Sequence, residues 1–185
     1  MKPISRLSRE HAALVVIDMQ EAFRPVIQEF PEVAARISKA VQGAQLLEVP
    51  IIVTEQYPKG LKHTAAEILP HLPSDANTIE KICFSSCGVD EFQQLFISRN
   101  IKQAIVCGIE AHICVAQTVL DLLAQDVEVH LLVDCISSRK RDSKDVALAR
   151  LTQAGAVVSN LEMALFELLR TADSPHFKAI QSLIK

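Results

Sequence analysis

Three side chains able to do chemistry stand at the ends of apolar runs far apart in the chain. AALVVID closes on Asp18, TIEKICFSS carries Lys81 between apolar neighbours, and AIVCGIEAHICV brings in Cys114 shortly after Gly-Ile-Glu. A thiol with an unperturbed pKa of about 8.5 is only a few per cent thiolate at neutral pH. An Asp carboxylate near 3.9 falls about 4.6 units short of taking that proton, a mismatch of roughly 6 kcal/mol. Burial raises a carboxyl, while an ammonium and a helix N-terminus lower a thiol, so the gap can close from both sides. Asp18 as base, Lys81 as a fixed cation and Cys114 as nucleophile therefore form a coherent set that needs no histidine. Each also has a plain structural alternative. Asp18 could cap a turn, Lys81 could be a solvated gatekeeper on an edge strand, and Cys114 could pack as a small apolar residue on a helix.

The elements that must position these groups alternate along the chain. Strand-like runs occupy 12–18, 51–55, 78–82, 103–108, 127–134 and 156–159, and helical patterns occupy about 31–47, 89–99, 113–125 and 142–154. Pro31 suits a first helical turn, a loop rich in Pro, Gly and His fills 56–77, and one or two helices close the chain. Several runs are continuously apolar rather than alternating, as strands buried on both faces are. Six strand–helix units with short connections predict a three-layer α/β fold, a doubly wound six-stranded parallel sheet, in one domain over residues 1–185. In such sheets ligands bind beyond the carboxyl ends of the strands, near the point where strand order reverses. That rule directs attention to Asp18, Glu55, Lys81, the stretch from Gly108 to Cys114, and Asp134.

Composition narrows the function. The 185 residues carry a net charge of −3, which offers no footprint for nucleic acid or an anionic membrane. Arg139, Lys140 and Arg141 read as a solvated turn. The first twenty residues lack a signal-peptide pattern, and no apolar run approaches a membrane span. Five cysteines, at least three of them in apolar runs, read as reduced thiols of a cytoplasmic protein rather than a disulfide framework. No G-x-G-x-x-G follows the first strand, which argues against a nucleotide-binding redox protein. Cys83 and Cys87, four apart, and His63 and His71, eight apart, are poor metal spacings, so no metal and no cofactor is expected. Cys107 and Cys135 read as packing residues.

VVIDMQEAF, TIEKICFSS and GIEAHICV resemble the three motif regions of the isochorismatase-like cysteine hydrolases, and the stretch from VEVHLLVDCISSRKRDSKD onward is similar to that family as well. The tail SPHFKAIQSLIK is similar to the ends of isochorismatase domain-containing proteins of unassigned substrate. The resemblance covers nearly the whole chain. It implies an Asp, Lys, Cys triad on Asp18, Lys81 and Cys114, and a cis peptide at Ile109–Glu110. It also implies an oxyanion hole made by the backbone N–H groups of Glu110 and Cys114. Nicotinamidases of that family carry an Asp-x-His metal element where this chain reads TEQYPKGLKH, so nicotinamide hydrolysis is not expected. Nothing identifies groups for the two carboxylates of isochorismate. Phe23, Gln56, Tyr57 and His112 are candidate substrate-pocket residues, and Glu110 could line the pocket or serve structure.

The expected function is cofactor-free hydrolysis of a carbon–nitrogen or similar bond in a small molecule through a covalent thio-intermediate, by a homo-oligomer. The competing expectation is a catalytically silent binding or scaffolding member of the same fold.

Overall fold

The computed structural model describes residues 6–74 and 76–185. Among them run the strands β1 (Ala12–Ile17), β2 (Ile51–Gln56), β3 (Asn77–Lys81), β4 (Gln103–Ile109), β5 (Glu128–Ser137) and β6 (Val157–Ser159). They form one sheet in the order β3-β2-β1-β4-β5-β6, with every pairing parallel. The helices are α1 (Phe30–Leu46), the short α2 (Pro58–Leu61), α3 (Asp90–Ser98), α4 (Ala116–Ala124), α5 (Arg141–Ala154), α6 (Leu161–Leu169) and α7 (Phe177–Ile184).

β1 shows why the run is apolar throughout. Ala12, Leu14 and Val16 join the core formed with α1, α6 and α7, while Ala13, Val15 and Ile17 join the core formed with α3, α4 and α5. A strand's side chains alternate between faces, so a central strand covered on both sides must be apolar at every position. The result is a three-layer sandwich. Strand order reverses between β1 and β4, and the chain leaves those strands at Asp18 and Glu110. Helix caps follow ordinary rules: the Asn160 side chain accepts the Met163 N–H at 2.8 Å to open α6, and Gly155, at φ +108°, closes α5.

Several boundaries differ from the sequence reading. The fifth strand does not end at Asp134; it continues to Ser137 through a register shift against β4. Asp134 accepts the Leu161 N–H at 3.0 Å and so serves the start of α6. The 56–77 loop contains α2, a 3₁₀ turn at Leu69–His71 and an antiparallel bridge from Thr64 to Gln20. Cys114 lies in a π-helical turn, Ala111–Val115, rather than in the first turn of an α-helix.

Main chains approach closely where the sheet order switches. A Cβ on Gly108 would fall 2.0 Å from the Ile17 carbonyl oxygen, and the residue's φ of +121° is one that side chains disfavour. Only glycine lets β4 lie this close to the end of β1, beside Asp18. Gly108→Ala is expected to cost roughly 2–4 kcal/mol in urea unfolding. A loss below about 0.5 kcal/mol, the range of neutral surface changes, would contradict this account.

Candidate active site

Asp18 follows β1 with φ +49°, a left-handed value that Asp tolerates better than most residues. Its N–H donates to the Thr54 carbonyl at 3.1 Å, and the Thr54 hydroxyl donates to Oδ1 at 2.7 Å. Oδ2 receives the Lys81 ammonium at 2.6 Å, with both side chains wholly buried. Lys81 is thus no solvated gatekeeper, although it ends an edge strand. Its Nζ also donates to Gln56 Oε1 at 2.8 Å and to the carbonyls of Phe84 at 3.0 Å and Cys83 at 3.3 Å. The segment after β3 folds back over it and is tied to α4 where the Ser86 N–H donates to Thr118 Oγ1 at 2.9 Å.

Cys114 is 8% exposed, and the charges of both Asp18 and Lys81 act on its thiol. Asp18 and Lys81 therefore meet beyond the carboxyl ends of β1 and β3, and Cys114, beyond the end of β4, lies within their electrostatic reach. The Ile109–Glu110 peptide is cis. The Glu110 carbonyl accepts the N–H groups of Ile113 at 3.0 Å and Val115 at 3.3 Å, the residues on either side of Cys114. The Glu110 carboxylate is buried and accepts both the N–H and the Nε of Arg139, at 2.9 and 3.0 Å.

The electrostatics correct one expectation. Lys81 and a helix N-terminus were to draw the Cys114 thiol down, but the thiol is pushed up to about 12. Burial is the main cause and the Asp18 carboxylate the next, and together they outweigh the lowering by Lys81. α4 begins only at Ala116, two residues beyond the sulfur, so the π-turn keeps Cys114 out of the α-helical first turn where dipole assistance is greatest. The resting thiol keeps its proton at neutral pH.

The candidate pocket residues are dispersed. Gln56, the last residue of β2, directs its amide to Lys81 and to the Ile82 carbonyl, which accepts Nε2 at 2.6 Å. His112 is half-buried, with Nδ1 3.0 Å from Ser138 Oγ, and Phe23 packs half-buried against the α1 core. Tyr57 is 51% exposed and lines a cavity of about 750 Å³ with Lys59, Glu80, Ile82, Val89 and Glu91. That cavity meets Lys81, but the lysine side chain is wholly buried, so contact is through the main chain. It runs along the outer edge of β3 and is not lined by Asp18 or Cys114; the hydrogen-bonded geometry is the better guide to chemistry.

Glu55 is not aimed at this cluster. It takes the N–H and hydroxyl of Thr64, both at 2.7 Å, and His63 Nδ1 at 3.0 Å. Burial opposes its ionised form, yet those partners hold its carboxyl below the usual range. Thr54 and Gln20 escaped the sequence reading as site residues; a hydroxyl inside IIVTEQ and an amide beside Asp18 were the available signals. Among the described residues no group of three or more His, Cys, Asp and Glu is placed to hold a metal, and no helix is long and apolar enough to cross a membrane.

The resting electrostatics predict a particular reactivity. Alkylation of Cys114, followed by mass spectrometry of its peptide, is expected to rise about tenfold per pH unit from pH 7 to 9, without a plateau. A plateau reached below pH 8 would show a thiolate already present and overturn this assignment.

The Isochorismatase domain family matches residues 12–163. Isochorismatase domain-containing protein 2A of Mus musculus is 38% identical over 98% of this chain and 86% of its own length. A protein of Phytophthora sojae named secreted isochorismatase effector Isc1 is also 38% identical, over 100% of this chain and 89% of its own. The structure of a Caenorhabditis elegans protein named MAR1 ribonuclease superposes with a TM-score of 0.93 at 37% identity, covering 97% of this chain and 92% of that one. Escherichia coli YcaC, described as an octameric hydrolase of unknown specificity, shares the fold with a TM-score of 0.88 at 21% identity, covering 100% and 97%.

Proposed function

Because the chain belongs to the Isochorismatase domain family, we propose that it is a cofactor-independent cysteine hydrolase cleaving an amide-type carbon–nitrogen bond of a small molecule. The observation that carries this reading is a buried Asp18–Lys81 pair at 2.6 Å whose charges both act on the Cys114 thiol. Asp18 removes the thiol proton as sulfur attacks the substrate carbonyl carbon, so a free thiolate need not accumulate. The N–H groups of Glu110 and Cys114 hold the oxyanion; the Glu110 carbonyl bonds the neighbours on either side of Cys114, which favours that N–H being offered to a ligand. The carbon–nitrogen bond breaks, the amine leaves with the proton from Asp18, and an acyl thioester remains. Water, deprotonated by Asp18, attacks the thioester and releases the acid. The sulfur then recovers its proton from Asp18. The site binds no metal in this scheme, and the cycle restores the protonation state of Cys114 and Asp18, the proton lost with the amine being replaced from water.

The charge of the chain argues against ribonuclease activity. A chain of net charge −3 lacks the positive field that tracks a phosphate backbone. Five unpaired cysteines fit a reducing, cytoplasmic setting.

A panel of amides and ureides, with Cys114→Ser as the blank, tests the reaction. Cys114→Ala is expected to fold normally by circular dichroism, to lose at least about a thousandfold in turnover, and to form no acyl adduct in intact-mass spectra. Turnover of a true substrate by Cys114→Ala at the wild-type rate would end the reading. Absence of turnover and adduct in the wild type across the panel would favour the silent binding or scaffolding alternative.

Self-association belongs to the same proposal. Ile82 is 72% exposed and Phe84 53%, beside the half-exposed Tyr57, an apolar row next to the lysine cradle. Light scattering is expected to give a mass at least twice the 20.4 kDa chain, and Ile82→Glu with Phe84→Glu to lower it. A wild-type monomer at micromolar concentration would refute this part.

A further inference from the structure

We infer that Gln56 is a positioning residue, which fixes the Lys81 ammonium against the Cys114 sulfur and is itself held by the buried Gln20. The inference rests on the Asp18–Lys81–Cys114 reading and extends it by one layer.

The orientation of the Gln56 amide follows from its partners. An ammonium only donates and a carbonyl only accepts, so the group 2.8 Å from Lys81 Nζ must be Oε1 and the group 2.6 Å from the Ile82 oxygen must be Nε2. The amide therefore spans the lysine head and the main chain one residue beyond Lys81. Lys81 has three protons to donate. Its three shortest contacts are Asp18 Oδ2, Gln56 Oε1 and the Phe84 carbonyl, with the Cys83 carbonyl longer at 3.3 Å. Asp18 pulls the ammonium from the β1 side, and Gln56 is the other side chain among these oxygens. Two side chains and the loop carbonyls thus determine where the charge stands.

Gln56 is not free to yield. Its N–H donates to Gln20 Oε1 at 2.8 Å, and its carbonyl accepts Gln20 Nε2 at 3.0 Å. The same Nε2 donates to the Lys62 carbonyl at 2.7 Å. Gln20 is fully buried, two residues after Asp18, so the turn that presents the carboxylate also clamps the residue that steadies its partner cation. With its main chain clamped by Gln20 and its amide spent on Lys81 and Ile82, Gln56 is placed to act through the lysine.

A double-mutant cycle tests this. The probe is iodoacetamide at pH 8, read by mass spectrometry on the peptide carrying Cys114, with the exposed Cys83 as internal reference. Lys81→Met is expected to slow Cys114 alkylation at least tenfold, because the neighbouring cation is gone. Gln56→Leu is expected to slow it at least fivefold while Cys83 is unaffected. The double variant is expected to be no slower than Lys81→Met alone, since Gln56 acts through the lysine. An unchanged or faster rate in a folded Gln56→Leu protein, or effects that multiply in the double variant, would overturn the inference. If Gln56→Leu does not fold, the near-isosteric Gln56→Met replaces it in the same cycle, with the same expected slowing of Cys114 and no further slowing over Lys81→Met. If Lys81→Met itself alkylates at the wild-type rate, the triad reading fails first, and separately.

Discussion

Two opposite charges buried side by side are the constraint around which the rest of this structure is arranged. Asp18 and Lys81 meet at 2.6 Å with no solvent contact for either side chain. Removing both ions from water costs several kcal/mol each, which mutual attraction repays only when the remaining donors and acceptors are also satisfied. Here they are: Thr54 serves the second carboxylate oxygen, and Gln56 and two loop carbonyls serve the ammonium. Such a pair is weak evidence of stabilisation, because apolar replacements of similar volume are often at least as stable. A buried pair so fully coordinated at the switch point of a doubly wound sheet is what the proposed chemistry requires.

The pair also resolves the difficulty raised by the high thiol pKa. While Asp18 is charged, burial and carboxylate repulsion keep the Cys114 proton in place. In the proposed reaction the proton moves to Asp18, the repulsion vanishes and the new thiolate faces the ammonium that had faced the carboxylate. An Asp–Lys pair becomes a thiolate–Lys pair with the net charge of the cluster unchanged. In a low-dielectric site, moving a charge between two positions beside one cation is far easier than creating one. A thiol protonated at rest is thereby compatible with the nucleophilic role proposed for Cys114.

Much of this could be read from the sequence, and the exceptions share a cause. Continuous apolar runs implied buried parallel strands, and a polar residue at the end of such a run, Asp18 after AALVVI, marks where a side chain reaches the carboxyl edge of the sheet. Cys114 was legible for the same reason, one turn beyond β4. Lys81 was ambiguous because its burial comes from the Cys83–Phe84 backbone and from Gln56, contacts that no local pattern announces. The thiol's raised pKa was illegible because it depends on depth and on the π-turn, both set by tertiary packing. β5 was cut short at Asp134 because a charge in a run resembles an end, although here the strand continues past a bulge and the carboxylate turns to cap α6.

The end of β2 shows how little of a site needs to be reactive. Consecutive side chains on a strand point to opposite faces, so Thr54 and Gln56 share one face and Glu55 takes the other. Thr54 reaches Asp18 after β1, on one neighbouring strand, and Gln56 reaches Lys81 at the end of β3, on the other. Glu55, facing away, pins Thr64 and His63 and so anchors the loop that follows. A strand contributing no proposed reactive group thus sets the spacing between two that do, because it lies between the strands that carry them. A one-residue slip in β2 would turn Glu55 toward the ion pair and withdraw both the hydroxyl and the amide. The register of the sheet is therefore a chemical specification as well as a structural one, since the same main-chain bonds that hold β2 in place hold the carboxylate and the ammonium apart by one hydrogen bond.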